Sequence, residues 1–134
     1  MQVTPPPFPH YRIWLIIGWG MVAGAFVLSL IPLSFDMGEG SDKVGHFVAY
    51  AGLTFWFGML YAGPRRRLAI ALAFTLMGVA IEFLQGLTDY RSFEVADMVA
   101  DAVGTVIGVA LLHTPLANAL DWMERLLRWI GWKD

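Results

Sequence analysis

Four long apolar runs separated by short polar breaks make up most of this chain. Ile13 to Phe35 contains no charged residue, and Val44 to Ala62 is stopped abruptly by Gly63-Pro64-Arg65-Arg66-Arg67. Leu68 to Leu87 carries Glu82 and Gln85 near its end, and Val95 to His113 opens with Asp97 and Asp101 before turning fully apolar. Roughly 20 helical residues cross a hydrocarbon core of about 30 Å, so each run is long enough to span a membrane. A cleaved signal peptide would show an apolar stretch of about 7–15 residues and then a small-residue cleavage site. The first run is longer and no convincing A-x-A motif ends it, so it reads as an uncleaved span. The Gly-Pro pair is a turn signal, placing a tight reversal between runs two and three.

The two ends of the chain follow other patterns. Residues 1–11 hold four prolines, which cannot continue a helix, and form an extended arm. In the tail, residues 114–134, Thr114 can cap a helix and Pro115 suits its first position. Leu116, Ala119, Leu120, Met123, Leu126, Leu127 and Ile130 then recur at helical spacing on one face. Asp121–Arg125 and Glu124–Arg128 are acid-before-base pairs four residues apart on the other face. Trp122, Trp129 and Trp132 suit the headgroup level. The tail is expected to lie on a membrane surface as an amphipathic helix, the alternative being a helix packed on a partner subunit.

Composition strengthens the membrane reading. The 134 residues are 57% hydrophobic and 15% charged, against about 45–50% and about 25% in soluble domains. There is no cysteine, which excludes disulfides, thiolate nucleophiles and Cys-based metal sites. The charges are sorted by position. Arg65, Arg66 and Arg67 place the loop between spans two and three in the cytoplasm under the positive-inside rule. Four spans then put Arg12, Arg125, Arg128 and Lys133 on the same side, leaving only Lys43 and Arg91 outside. The acids Asp36, Glu39, Asp42, Glu82, Asp89, Glu94, Asp97 and Asp101 fall in the outer half. The expected fold is thus an all-α integral membrane protein with four transmembrane helices over residues 12–113, a C-terminal interfacial helix, and both termini cytoplasmic. The arginines are used by topology, so no basic surface for nucleic acid remains.

This orientation gathers the ionisable residues into one outer layer. Asp42, His46 and Tyr50 lie four residues apart, along one helix face, with Lys43 beside them. Glu82 and Gln85 are neighbours at i,i+3 on another span. Arg91 lies in the outer loop. Asp97, Asp101, Gly104 and Gly108 share a face of span four, and Gly104-Thr105-Val106-Ile107-Gly108 is a GxxxG pattern that lets backbones approach closely in lipid. Intramembrane charges are costly, so several at one depth point to mutual pairing inside the bundle.

Three readings of this layer stay open. It could bind a lipid headgroup or other envelope molecule. It could catalyse, with Asp42 orienting His46 as base and Glu82 or Asp97 as acid. It could also only rivet the helices, with Arg91 neutralising Glu82 or Asp97. No activated Ser nucleophile, H-E-x-x-H or phosphate-loop signature is present, and the acid spacings match no metal motif. No catalytic residue is assigned, and no metal or cofactor is expected. His10 and His113 read as isolated and structural. A transporter reading is weaker, since four spans show no internal repeat.

Asp42-Lys43-x-x-His46-Phe47-x-x-Tyr50, then Glu82-x-x-Gln85, then Arg91 and Asp97, with Gly104 and Gly108 after them, resembles the VanZ-like membrane protein family. The resemblance covers roughly residues 15–112. Where the family commonly has Asn four residues after the Asp of span four, this chain has Asp101, which adds a negative charge. The resemblance implies a bacterial inner-membrane, multi-pass protein of the cell envelope. The founding member is associated with low-level teicoplanin resistance without a changed peptidoglycan precursor terminus. The partners implied are membrane lipids and an envelope lipid or peptidoglycan precursor, and homo-oligomerisation stays open.

Overall fold

The computed structural model describes residues 8–32 and 40–132. Expectations that fall on residues 1–7, on Asp36 and Glu39, and on Lys133 lie outside the described residues. Among the described residues five α-helices follow one another: α1 (Tyr11–Leu30), α2 (Ser41–Leu60), α3 (Pro64–Gly86), α4 (Val95–Leu111) and α5 (Ala119–Trp129). A single 3-10 turn, Pro115–Asn118, precedes α5. There is no strand among the described residues.

Local sequence sets the boundaries. The α1 helix ends at Leu30, just before Pro32, which cannot continue it. The reversal between α2 and α3 uses Gly63 at φ 109°, a backbone region open chiefly to glycine, and Pro64 then occupies the first turn of α3. The arginine triplet therefore lies inside the first turn of α3 rather than in a loop. Thr114 caps as expected, its hydroxyl accepting from the Leu116 backbone N–H at 3.3 Å.

The four long helices run in alternating directions. At one end, the start of α1 meets the end of α2 through the Tyr11 and Tyr61 rings, 6.4 Å apart. Arg67 at the start of α3 donates to the Gly58 carbonyl of α2 at 3.3 Å. This arginine end also holds the close of α4, where Leu112 packs on Gly58. At the other end, Gln85 of α3 donates to the Ser29 carbonyl of α1 at 2.7 Å. Lys43 at the start of α2 reaches Glu94 at the start of α4, 2.9 Å away. That is the carboxylate end.

The most extensive contact is between α2 and α4. It depends on two glycines. A Cβ on Gly104 would collide with the Phe47 carbonyl oxygen, and one on Gly108 would lie 2.6 Å from the Ala51 carbonyl oxygen. The two contacts are four residues apart on both helices, so the backbones run against each other over a full turn. The GxxxG face of α4 thus points into the bundle. Gly78 does the same for α3, where a Cβ would lie 2.5 Å from the Asp101 carboxylate.

The burial pattern is that of an apolar solvent. Among the most deeply buried side chains, Leu53, Ile81 and Leu120 are apolar, but Glu82, Thr54, Thr105 and Asp101 are polar. Outward faces carry stripes of large apolar residues: Leu68, Leu72, Leu76 and Phe83 on α3, and Val95, Val99, Val103 and Val106 on α4. Such contiguous apolar surface is foreign to a water-exposed monomer. By length and composition α1 and α3 can each cross a membrane, and α4 with its continuation beyond a 76° bend would make a third span. The α2 helix, which opens with Asp42, Lys43 and His46, does not reach the same apolar measure; its second half, from Tyr50 to Leu60, is largely buried by its neighbours.

The α2–α4 contact yields a paired prediction. Gly104→Ala should lower stability by about 1–3 kcal/mol, the usual range for overpacking. Gly52→Ala on the same pair of helices adds a methyl group that meets nothing within 4 Å, and should be neutral or slightly stabilising. Thermal unfolding of the purified protein in detergent, followed by tryptophan fluorescence, distinguishes the two.

Candidate functional site

The carboxylate end is assembled from the first turns of α2 and α4 and the last turns of α3. His46 sits on α2 one turn after Lys43, on the side that faces α4. Its ring Nδ1 is 2.9 Å from Asp101 Oδ1, and its Nε2 is 3.7 Å from Asp97 Oδ2. Asp97 and Asp101 reach the same imidazole because they lie one turn apart on the face that Gly104 and Gly108 press against α2.

Lys43 forms the second half of the site. Its ammonium lies 2.9 Å from Glu94 Oε2, 3.4 Å from Asp97 Oδ1 and 3.7 Å from Asp42 Oδ2. The carboxylate oxygens of Asp42, Glu94 and Asp97 all lie within 4.8 Å of one another, close enough to surround a cation. The protein supplies that cation itself. The Lys43 hydrogen bond, with a further one from the Ser92 hydroxyl, holds the Glu94 carboxyl below the usual carboxylate range.

Glu82 ties the layers together. Its side chain is fully buried, and Oε1 accepts from the Glu94 backbone N–H at 2.6 Å, so the end of α3 caps the start of α4. That backbone donor would otherwise be one of the orphans of a helix N-terminus. The other oxygen, Glu82 Oε2, is buried without a hydrogen-bond partner among the described residues, as is Asp101 Oδ2. A buried carboxylate oxygen left unpaired carries a desolvation cost and marks a place where a donor would be favourable.

Several expected roles change. Asp42 is exposed and reaches Lys43, whereas the acid that orients His46 is Asp101. Among the described residues Arg91 neutralises neither Glu82 nor Asp97. It donates to the Ile31 carbonyl at 3.3 Å, and Tyr90 beside it donates to Leu30 at 2.5 Å, so this loop clasps the end of α1. Gln85 also faces α1. Tyr50 is buried in the apolar cluster of Leu53, Phe57 and Phe74. The structure thus brings together Asp42, Lys43, His46, Glu82, Asp97 and Asp101, and adds Glu94, which from the sequence reads as a solvated loop acid. The signal for Glu94 was its place as the residue before α4, three before Asp97.

A second polar knot lies at the arginine end. His10 is not isolated: its ring Nδ1 donates to Glu124 Oε2 at 2.8 Å, and its backbone N–H donates to Glu124 Oε1 at 3.1 Å. The Trp14 indole donates to the same Oε1 at 2.7 Å. Glu124 is 2% exposed and so is not a surface partner for Arg128. Burial pushes its carboxyl up, but the hydrogen bonds from the His10 ring, the Trp14 indole and the His10 backbone outweigh that and hold it below the ordinary range. Its helical position next to Leu120 and Leu127 was the available signal, since both of those turn inward too.

A sequence-family model described as VanZ/LLP1 matches residues 10–117. An uncharacterized protein of Schizosaccharomyces pombe is 34% identical over 74 residues, covering 53% of this chain and 46% of that protein. The chain thus spans about half the length of this curated relative. No solved structure matches the chain.

The Lys43–Glu94 contact predicts a pH signature. Glu94 has a depressed folded pKa, so the pair's contribution is present above the ordinary glutamate pKa of about 4.3 and is lost as pH falls through the lower folded value. Lys43→Met should therefore unfold at lower temperature than the parent at pH 7, and the two should converge in acid. Exposure screens the pair, so the effect is small. Thermal unfolding across a pH series in detergent reads it.

Proposed function

The chain belongs to the VanZ/LLP1 family, and from that premise we propose an inner-membrane protein of the bacterial envelope whose carboxylate end binds an amine-bearing lipid headgroup or lipid-linked precursor. In this reading α1 to α4 all cross the membrane, the carboxylate end faces outward and the termini lie in the cytoplasm. The single observation that carries the ligand class is the sign of the cluster. Asp42, Glu94 and Asp97 lie around one ammonium, Lys43, while Asp97 and Asp101 flank one imidazole, His46, and the buried Glu82 carboxylate joins them through the Glu94 backbone. A unit charge about 4 Å from one uncompensated carboxylate interacts by about 4 kcal/mol at an effective dielectric of about 20. For a phosphate that is repulsion, and for an ammonium it is attraction.

Two envelope molecules carry such an amine: an ethanolamine phospholipid and a peptidoglycan precursor with a free amine on its stem peptide. Where the ligand is the precursor, the same contact would change how much of it a glycopeptide meets at the outer face. That is the route by which the founding member's association with glycopeptide tolerance would apply here.

Native mass spectrometry of the protein released from mixed-lipid nanodiscs tests the proposal, with an amine-bearing precursor added in a second arm. Phosphatidylethanolamine should be retained over phosphatidylcholine and phosphatidylglycerol, and Asp97→Asn should reduce retention about tenfold, or about 1.4 kcal/mol. Preferred retention of phosphatidylglycerol, or retention indifferent to Asp97→Asn and Glu94→Gln, would overturn it.

One distance favours a second reading. Asp101 Oδ1 at 2.9 Å from His46 Nδ1 fixes the imidazole and leaves Nε2 as the acid–base atom. Glu82 suits that role less, because it is fully buried and caps α4. Turnover of the retained lipid that is lost in His46→Gln while retention persists would establish catalysis.

A further inference from the structure

The α5 helix has three faces, and the site at the carboxylate end uses none of them. Leu120 and Glu124 are buried and Leu127 half-buried against the bundle, in a cluster with Phe8, Trp14, Met59, Leu60 and Leu112. At about 100° per residue, Met123, Leu126 and Ile130 lie to one side of that seam, with Trp122 and Trp129 next to them. All five are exposed, Trp129 at 83%. To the other side lie Asp121, Arg125 and Arg128, also exposed. The docked side thus separates an apolar face from a charged one.

The orientation of α5 is set by two observations. The segment from Pro115 to Trp129 is bent 76° from α4, so it runs across the end of the bundle rather than along it. The Glu124 carboxylate, held by the His10 backbone, the His10 ring and the Trp14 indole, fixes its roll about its own axis. Clamped by one side, the helix leaves its apolar face exposed, about a quarter turn from the side that docks.

Charge identifies the occupant. The exposed cations Arg12, Arg65, Arg66, Arg125 and Arg128 all sit at this end of the molecule. Arg65 and Arg66 occupy the first turn of α3, where the helix dipole disfavours cations by about 0.3–1 kcal/mol each. Helix stability therefore does not account for them. A ring of arginines beside a tryptophan-flanked apolar face is complementary to an anionic bilayer surface. A second copy of the chain would bring the same cations together.

We propose that α5 is a side-clamped membrane-surface anchor, seating Met123, Leu126 and Ile130 at the headgroup–acyl boundary of an anionic leaflet while Glu124, His10 and Trp14 hold its roll. The arrangement does not depend on what the carboxylate end binds.

The absence of cysteine makes the test direct. Leu126→Cys and Asp121→Cys, each labelled with an environment-sensitive fluorophore, are reconstituted into vesicles of phosphatidylcholine with or without phosphatidylglycerol. The probe at position 126 should be blue-shifted and about threefold less accessible to iodide than the probe at 121, and phosphatidylglycerol should increase that protection. Adding Glu124→Ala to Leu126→Cys should reduce it. The comparison of 126 with 121 needs no clamp variant, so it stands even where Glu124→Ala fails to fold. Equal iodide access at the two positions, or a disulfide between two copies of the unlabelled Leu126→Cys protein under oxidation, would overturn the proposal.

Discussion

The contact on which the rest of this structure depends is the backbone-to-backbone approach of α2 and α4. Gly104 and Gly108 let α4 lie directly on the carbonyls of Phe47 and Ala51. One turn toward the carboxylate end, the same face carries Asp101 and then Asp97. The interaxial spacing set by the glycines is what places two carboxylates within reach of one imidazole on α2. A side chain at either glycine would meet a backbone carbonyl of α2 and force the two helices apart, and with them His46 and Asp101. In an apolar solvent, where helices gain nothing from hiding hydrocarbon, such close approach and the polar contacts it permits are the forces available to hold a bundle.

Much of this was legible in the chain. The four apolar runs became four helices within a few residues of their expected bounds, because long uninterrupted apolar segments leave the backbone one economical way to satisfy itself. The shared face of Asp97, Asp101, Gly104 and Gly108 points inward as helical spacing required. Pairwise contacts were less accessible. Asp42 and His46 share a face at i,i+4, but Asp101 reaches the imidazole from another helix, and no periodicity within α2 can report that. Arg91 has the right charge to meet Glu82 or Asp97. It instead meets the Ile31 carbonyl at the end of α1, where the helix leaves acceptors unsatisfied.

The tail shows the same limit from the other side. The wheel of α5 separates apolar from charged residues, and on a wheel Glu124 reads as a charged-face residue facing Arg128. Two of the apolar residues, Leu120 and Leu127, border it, and that border is where the bundle docks. A carboxylate at such a border is carried inward with its neighbours and must find donors there. His10 and Trp14 provide them, the one at the edge of the proline-rich arm and the other in the first turn of α1, and neither gave a hint of a partner so distant in sequence. The two ends of the molecule thus solve one problem alike: a buried acid is met by a histidine from another element.

The Glu124 clamp joins residues 114 positions apart in sequence. During synthesis the His10 and Trp14 donors emerge before their acceptor, with α2, α3 and α4 made in between. The opening helix of the bundle therefore remains incomplete at its arginine end until α5 has left the ribosome. The clamp closes a loop that encloses α2, α3 and α4, so it can form only when every helix between its two halves has been made.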